Sequence, residues 1–143
     1  MALPDPKAGL VISYAYLWRD EARMGRDEGV KARPCVIVLA VEDVAGERVI
    51  TVAPVTHSPP RHAAEAVEMP AATKARLGLD GAQSWIASTE VNRFVWPGPD
   101  LRPISRSHPG DFAFGFIPGA LLQRLREQIL RHRRIGLVPR REQ

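Results

Sequence analysis

Apolar residues dominate KARPCVIVL, residues 31–39, and return after Gly46 in VITVAPVTHSPP, residues 49–60. Val- and Ile-rich runs bounded by Pro and Gly predict two adjacent buried strands. Antiparallel pairing of the two sets Arg33, at the start of one, beside Thr56, at the end of the other. Earlier, GLVISYAYLW at 9–18 alternates enough to predict a first strand, and the charged, glycine-containing 19–32 reads as a long mobile loop. Beyond the hairpin, AVEMP at 66–70 predicts a short strand stopped by proline. PAATKARLGL predicts a two-turn helix that begins with Pro70 and is ended by Gly78. SWIASTEVNRFVW, residues 84–96, resumes extended chain, and the proline- and glycine-rich 96–111 reads as a loop wrapping the sheet.

From Pro118 the period changes. Ala120, Leu121, Leu122, Leu125 and Ile129 fall at helical spacing, with Arg124, Arg126 and Arg131 between them, so the one substantial helix has an apolar stripe and a basic face. The expected architecture is mainly β with a C-terminal helix, a small antiparallel β-barrel in a single domain. The barrel is expected over 9–117, the helix over 118–134 and a frayed tail over 135–143.

At 143 residues and 45% hydrophobic content, the chain suffices for one core. A net charge of +4 favours polyanionic partners, either nucleic acid or an acidic protein, although much of the excess sits in the last segment, where a solvated helix face accounts for it equally well. A single cysteine, Cys35, excludes an internal disulfide and any multi-cysteine zinc site. No stretch approaches the roughly 18 apolar residues of a membrane helix, and the start of the chain lacks the pattern of a secretory signal, so a cytoplasmic, soluble protein is expected.

The order Arg33-Pro34 entering a Val/Ile strand, then APVT at 53–56, then TEVNRFVW at 89–96, resembles the MazF/PemK family of toxin ribonucleases, the toxic halves of bacterial type II toxin–antitoxin pairs. The resemblance implies an SH3-like barrel, a homodimer, a cognate antitoxin with an acidic segment, and metal-independent, sequence-selective cleavage of single-stranded RNA without a cofactor. It places the catalytic arginine on Arg33, the threonine on Thr56 and the acid on Glu90. One branch of the family has a second arginine two positions before that acid. Ser88 stands there in this chain, which passes the general-acid role to Arg33 or His57. Substrate contacts are expected from Arg19, Arg26 and Lys31 in the charged loop, from Ser58, and from Asn92 and Arg93.

The chemistry itself asks for three things. Attack of a 2′-hydroxyl on the adjacent phosphate needs a proton acceptor, donors for the phosphorane oxygens, and a proton for the leaving 5′ oxygen. Arg33 is a permanent cation suited to two parallel bonds to phosphate, Thr56 a hydroxyl donor, and Glu90 or His57 a titrating group. Each has a plainer reading: Arg33 pairing with Asp27 or Glu28, Thr56 closing a turn before Ser58, Glu90 pairing with Arg93, and His57 exposed in a loop. Trp18, Trp85 and Trp96 serve as core or as platforms for splayed bases. The competing function is a non-catalytic toxin or regulator on the same barrel, resembling the gyrase-poisoning relatives or simply binding nucleic acid.

Overall fold

The computed structural model describes residues 3–25, 31–132 and 135–139. Its centre is the hairpin of β2 (Arg33–Glu42) and β3 (Arg48–Thr56), antiparallel with Cys35 opposite Pro54 and Ile37 opposite Val52. Asp43 shapes the turn. Its carboxylate accepts the amides of Ala45 and Glu47, and Gly46, at φ 83°, takes the left-handed conformation that other residues resist. Where both faces of the hairpin are covered, at 35–38 and 52–55, its apolar runs are continuous rather than alternating. One face sends Val36, Val38, Ala53 and Val55 into one core, and the other sends Cys35, Ile37, Ile50 and Val52 into a second.

Around the hairpin lie β1 (Leu10–Tyr14), β4 (Ala66–Glu68), β5 (Trp85–Ala87), β6 (Glu90–Val95), β7 (Ala113–Phe116) and β8 (Gly136–Pro139). β1 pairs with β2, setting Tyr14 opposite Arg33, and β7 pairs with β1 outside it. The other edge of β3 is shared: its first half takes β6, with Val52 opposite Asn92, and its end takes β5, with Thr56 opposite Trp85. β4 extends β5, and β8 runs parallel to β6.

The structure is thus mainly antiparallel β with a C-terminal helix, α3 (Gly119–Arg131), as expected. The closed barrel is not. Closure needs the outermost strands to bond one another, and among the described residues no ladder joins β7 to β4 or β8. The outer edge of β3 forks between β5 and β6, so that side of the sheet ends in two separate edges, at β4 and at β8.

Three further expectations are corrected. The first strand stops at Tyr14 rather than Trp18, because Ala15 donates to Asp100 O and Leu17 is held by a side chain instead of a ladder. The charged loop opens with a short helix, α1 (Arg19–Arg23), whose entry is fixed by the Glu21 carboxylate accepting the Trp18 amide. The expected frayed tail contains β8, seated on β6, with the Gly136 amide donating to Thr89 O. A Cβ at Gly136 would stand 2.6 Å from Arg19 Nη1 and 3.1 Å from Glu90 Cβ, so glycine is what lets this strand approach.

The helix of residues 71–76, α2 (Ala71–Arg76), forms with Gly78 just beyond it, as the sequence predicts. It packs Leu77 into the first core, which α3 covers with Leu121 and Leu125. Arg126 of α3 donates to Val38 O, at the irregularity where β2 and β3 shift register. Segment 96–112 adds no named strand but lies along β1, with Arg102 N–H donating to Ser13 O and Trp96 and Leu101 against the second core. No helix among the described residues is long and apolar enough to cross a membrane.

Candidate functional site

Pleat alternation decides which expected residues meet. Arg33 lies opposite Tyr14, and Glu90 and Asn92 share the alternation of Phe94, so all project toward the second core, over which the chain from Tyr14 to Arg19 is draped. Thr56, two residues beyond Pro54, shares that face. Arg33, Thr56 and Glu90 therefore occupy strand positions on one side of the sheet.

The side chains are engaged differently. The Arg33 guanidinium sits 4.9 Å above the centre of the Trp18 ring, a cation–π contact, and its buried Nε has no hydrogen-bond partner among the described residues. Trp18 meets Tyr16 edge-on at 5.1 Å. Tyr16 in turn donates its hydroxyl to Glu90 Oε1 at 3.2 Å, and the Arg19 amide reaches the same oxygen at 2.9 Å. Burial lifts the Glu90 carboxyl above the ordinary glutamate range despite these two donors. Burial likewise raises the Tyr16 hydroxyl and the Cys35 thiol, so neither is a ready nucleophile.

Asn92 is a structural residue. Fully buried, it accepts the Leu17 amide and donates to the Leu17 carbonyl, both at 2.8 Å, standing in for a strand that would otherwise pair there. Both polar atoms of its side chain are engaged by Leu17 inside the core, away from the surface at which a substrate contact was expected. Glu90 does not pair with Arg93. Three residues apart on a strand, the two face opposite ways, and Arg93 is exposed. Thr56 Oγ1 accepts the Ser58 amide at 3.1 Å, the turn-closing role, and Ser58 is exposed beside it. Ser88 is wholly buried between Ala64 O and Gln128. Arg26, and the Asp27 and Glu28 suggested as partners of Arg33, lie outside the described residues.

Next to this cluster the ends of β2 and β3 frame a cleft of about 240 Å³. Lys31, Ala32, Arg33 and Pro34 form one wall, and Val55 and His57 another. The third comes from the end of α2 and the loop after it, with Lys74, Leu79, Asp80 and Ser84. His57 Nε2 meets Asp80 Oδ2 at 2.9 Å, and Lys74 Nζ meets Asp80 Oδ1 at 2.7 Å. The Lys74 hydrogen bond holds the Asp80 carboxyl below its usual range. His57 is therefore an exposed histidine with a partner, not a free one.

The structure brings Lys31, Arg33 and His57 to one cleft, and leaves Glu90, Asn92 and Arg19 behind it as supports of the 14–19 segment. Lys74, Asp80 and Ser84 were not expected at the site. Asp80-Gly81 is a turn signal in the sequence, but nothing local foretells that Lys74 is buried. Among the described residues, no three His, Cys, Asp or Glu side chains gather as a metal-binding group. Comparison with protein-family models, with curated proteins and with solved structures finds no match for this chain.

Proposed function

We propose that the chain is a metal-independent endoribonuclease that cuts single-stranded RNA, the toxin of a type II toxin–antitoxin pair of the MazF/PemK kind. Its sheet is then an open variant of the SH3-like toxin fold, acting in the cytoplasm as a homodimer and restrained by an antitoxin with an acidic segment. One observation carries the reading: Lys31, Arg33 and His57, an ammonium, a guanidinium and an imidazole, line a single strand-end cleft. Such a set suits a phosphodiester. Arginine and lysine neutralise the phosphate and stabilise charge on its oxygens as the 2′-hydroxyl attacks, and an imidazole exchanges protons at neutral pH. Trp18 lies against the guanidinium in a cation–π contact.

The test is incubation of the purified chain with a long single-stranded RNA in the presence of a chelator, followed by mapping of the cut ends. Cyclic phosphate and 5′-hydroxyl termini are expected, with Arg33→Ala at least about a hundredfold slower while folding as the parent does. Equal cutting by Arg33→Ala and the parent would remove Arg33 from the mechanism.

A second reading has its own observation. Val38, Leu39, Val91, Ile129, Leu130 and Ile135 line an almost wholly apolar groove of about 340 Å³ between α3 and the sheet, with Leu130 83% exposed. Exposed apolar surface of this kind favours protein contacts, as in a non-catalytic toxin or regulator. RNA left intact under all conditions would favour that reading.

A further inference from the structure

We propose that His57 is the catalytic proton acceptor of the cleft and that Asp80 and, through it, Lys74 are the positioning residues that orient it. The proposal rests on the nuclease reading and names the group that moves the proton.

Lys74 is the anchor. Its side chain is 6% exposed, and a buried ammonium is tolerated only when its donors are satisfied. Its three N–H groups find three acceptors: Asp80 Oδ1, Ser84 Oγ at 2.6 Å, and Ala82 O. No donor remains for a ligand, so Lys74 holds the loop rather than the substrate. Asp80 Oδ1 also takes the Ala82 amide at 3.1 Å, which leaves Oδ2 for His57 Nε2. A carboxylate fixed on both sides accepts a ring N–H, and the histidine tautomer follows: Nε2 carries the hydrogen and Nδ1 presents its lone pair. Nδ1 makes no hydrogen bond to the described residues. The charged groups facing this imidazole are Asp80 and Lys74 from α2 and its following loop, and Lys31 and Arg33 from the entry to β2.

The rival proton acceptors are excluded by position and by chemistry. Glu90 is 8% exposed, has Oε1 committed to Tyr16 and Arg19, and lies outside the cleft lining. Arg33 stays protonated at any physiological pH. In the step assigned to His57, Nδ1 takes the 2′-hydroxyl proton as the O2′–P bond forms. The P–O5′ bond breaks with its electron pair on the 5′ oxygen, which takes a proton from water. A cyclic phosphate and a 5′-hydroxyl result, and the imidazolium returns its proton to solvent.

The experiment is single-turnover cleavage of single-stranded RNA by the full chain, with chelator, across a pH series. The parent rate is expected to rise with pH and then level. His57→Gln is expected to lose about a hundredfold or more and to show a flat profile, with RNA binding by fluorescence anisotropy retained, and added imidazole to restore His57→Gly. Asp80→Asn and Lys74→Met are expected to lower the single-turnover rate at saturating protein while RNA binding by anisotropy holds. Because Lys74→Met removes a buried anchor, the exposed Asp80→Asn carries the test if that variant fails to fold. An active parent with His57→Gln cutting at the parental rate and profile overturns the assignment and leaves the nuclease standing. A parent that cuts no RNA ends both.

Discussion

Replacing Asn92 by alanine separates a residue that builds the site from one that touches substrate. In the parent, its amide satisfies the N–H and the C=O of Leu17, in a position where Leu17 is 3% exposed and Asn92 fully buried. The truncation leaves two buried backbone groups without partners, each costing about 1–3 kcal/mol, so the loss is about 2–6 kcal/mol. Against the usual 5–15 kcal/mol of a folded domain, that is a large fraction. With an unfolding entropy of about 2.1 cal/mol/K per residue over 143 residues, each kcal/mol lowers Tm by about 3 °C, giving a fall of about 7–20 °C. Urea unfolding followed by circular dichroism measures the first quantity and a thermal scan the second. Arg93→Ala, one residue on and facing solvent, is the control and is expected to stay within about 0.5 kcal/mol of the parent. If Asn92→Ala also stays within that margin, the Leu17 clamp is not what holds the 14–19 segment, and the account of why Trp18 lies beneath Arg33 falls with it.

Two more outcomes follow from burial. Because the folded-state pKa of Glu90 is raised, its contribution to stability is present below the ordinary carboxyl range and is lost as pH rises through the folded value. Glu90→Gln does not titrate and keeps an oxygen for the Arg19 amide, so from about pH 4 to pH 7 its urea midpoint should gain on the parent's, and a gap that stays flat or moves the other way refutes the assignment. Leu125→Ala removes a side chain with no exposure from beneath α3 and should cost about 2–5 kcal/mol in the same assay. A loss below about 1 kcal/mol would mean that α3 is not seated on the first core.

What the sequence determined alone is local and periodic. Val- and Ile-rich runs specified β2 and β3, Pro70 and Gly78 bounded α2, and the 3.6-residue stripe of Leu121 and Leu125 located α3, because each signal is complete within a few neighbours. Once the hairpin is antiparallel, alternation also forces Arg33 and Thr56 onto one face. The tertiary structure alone decided the rest. β7 and β8 are four-residue strands whose extended state comes from docking on β1 and β6, a context that propensity does not contain. The fork at the outer edge of β3, rather than a closed barrel, depends on two short strands competing for one edge. Glu90 and Asn92 look like site residues in sequence, yet serve the 14–19 segment because that segment crosses their face. Asp80, held by Lys74, reaches His57 only because the loop after α2 folds back against the end of β3, and long-range packing of that kind leaves no trace in the spacing of residues along the chain.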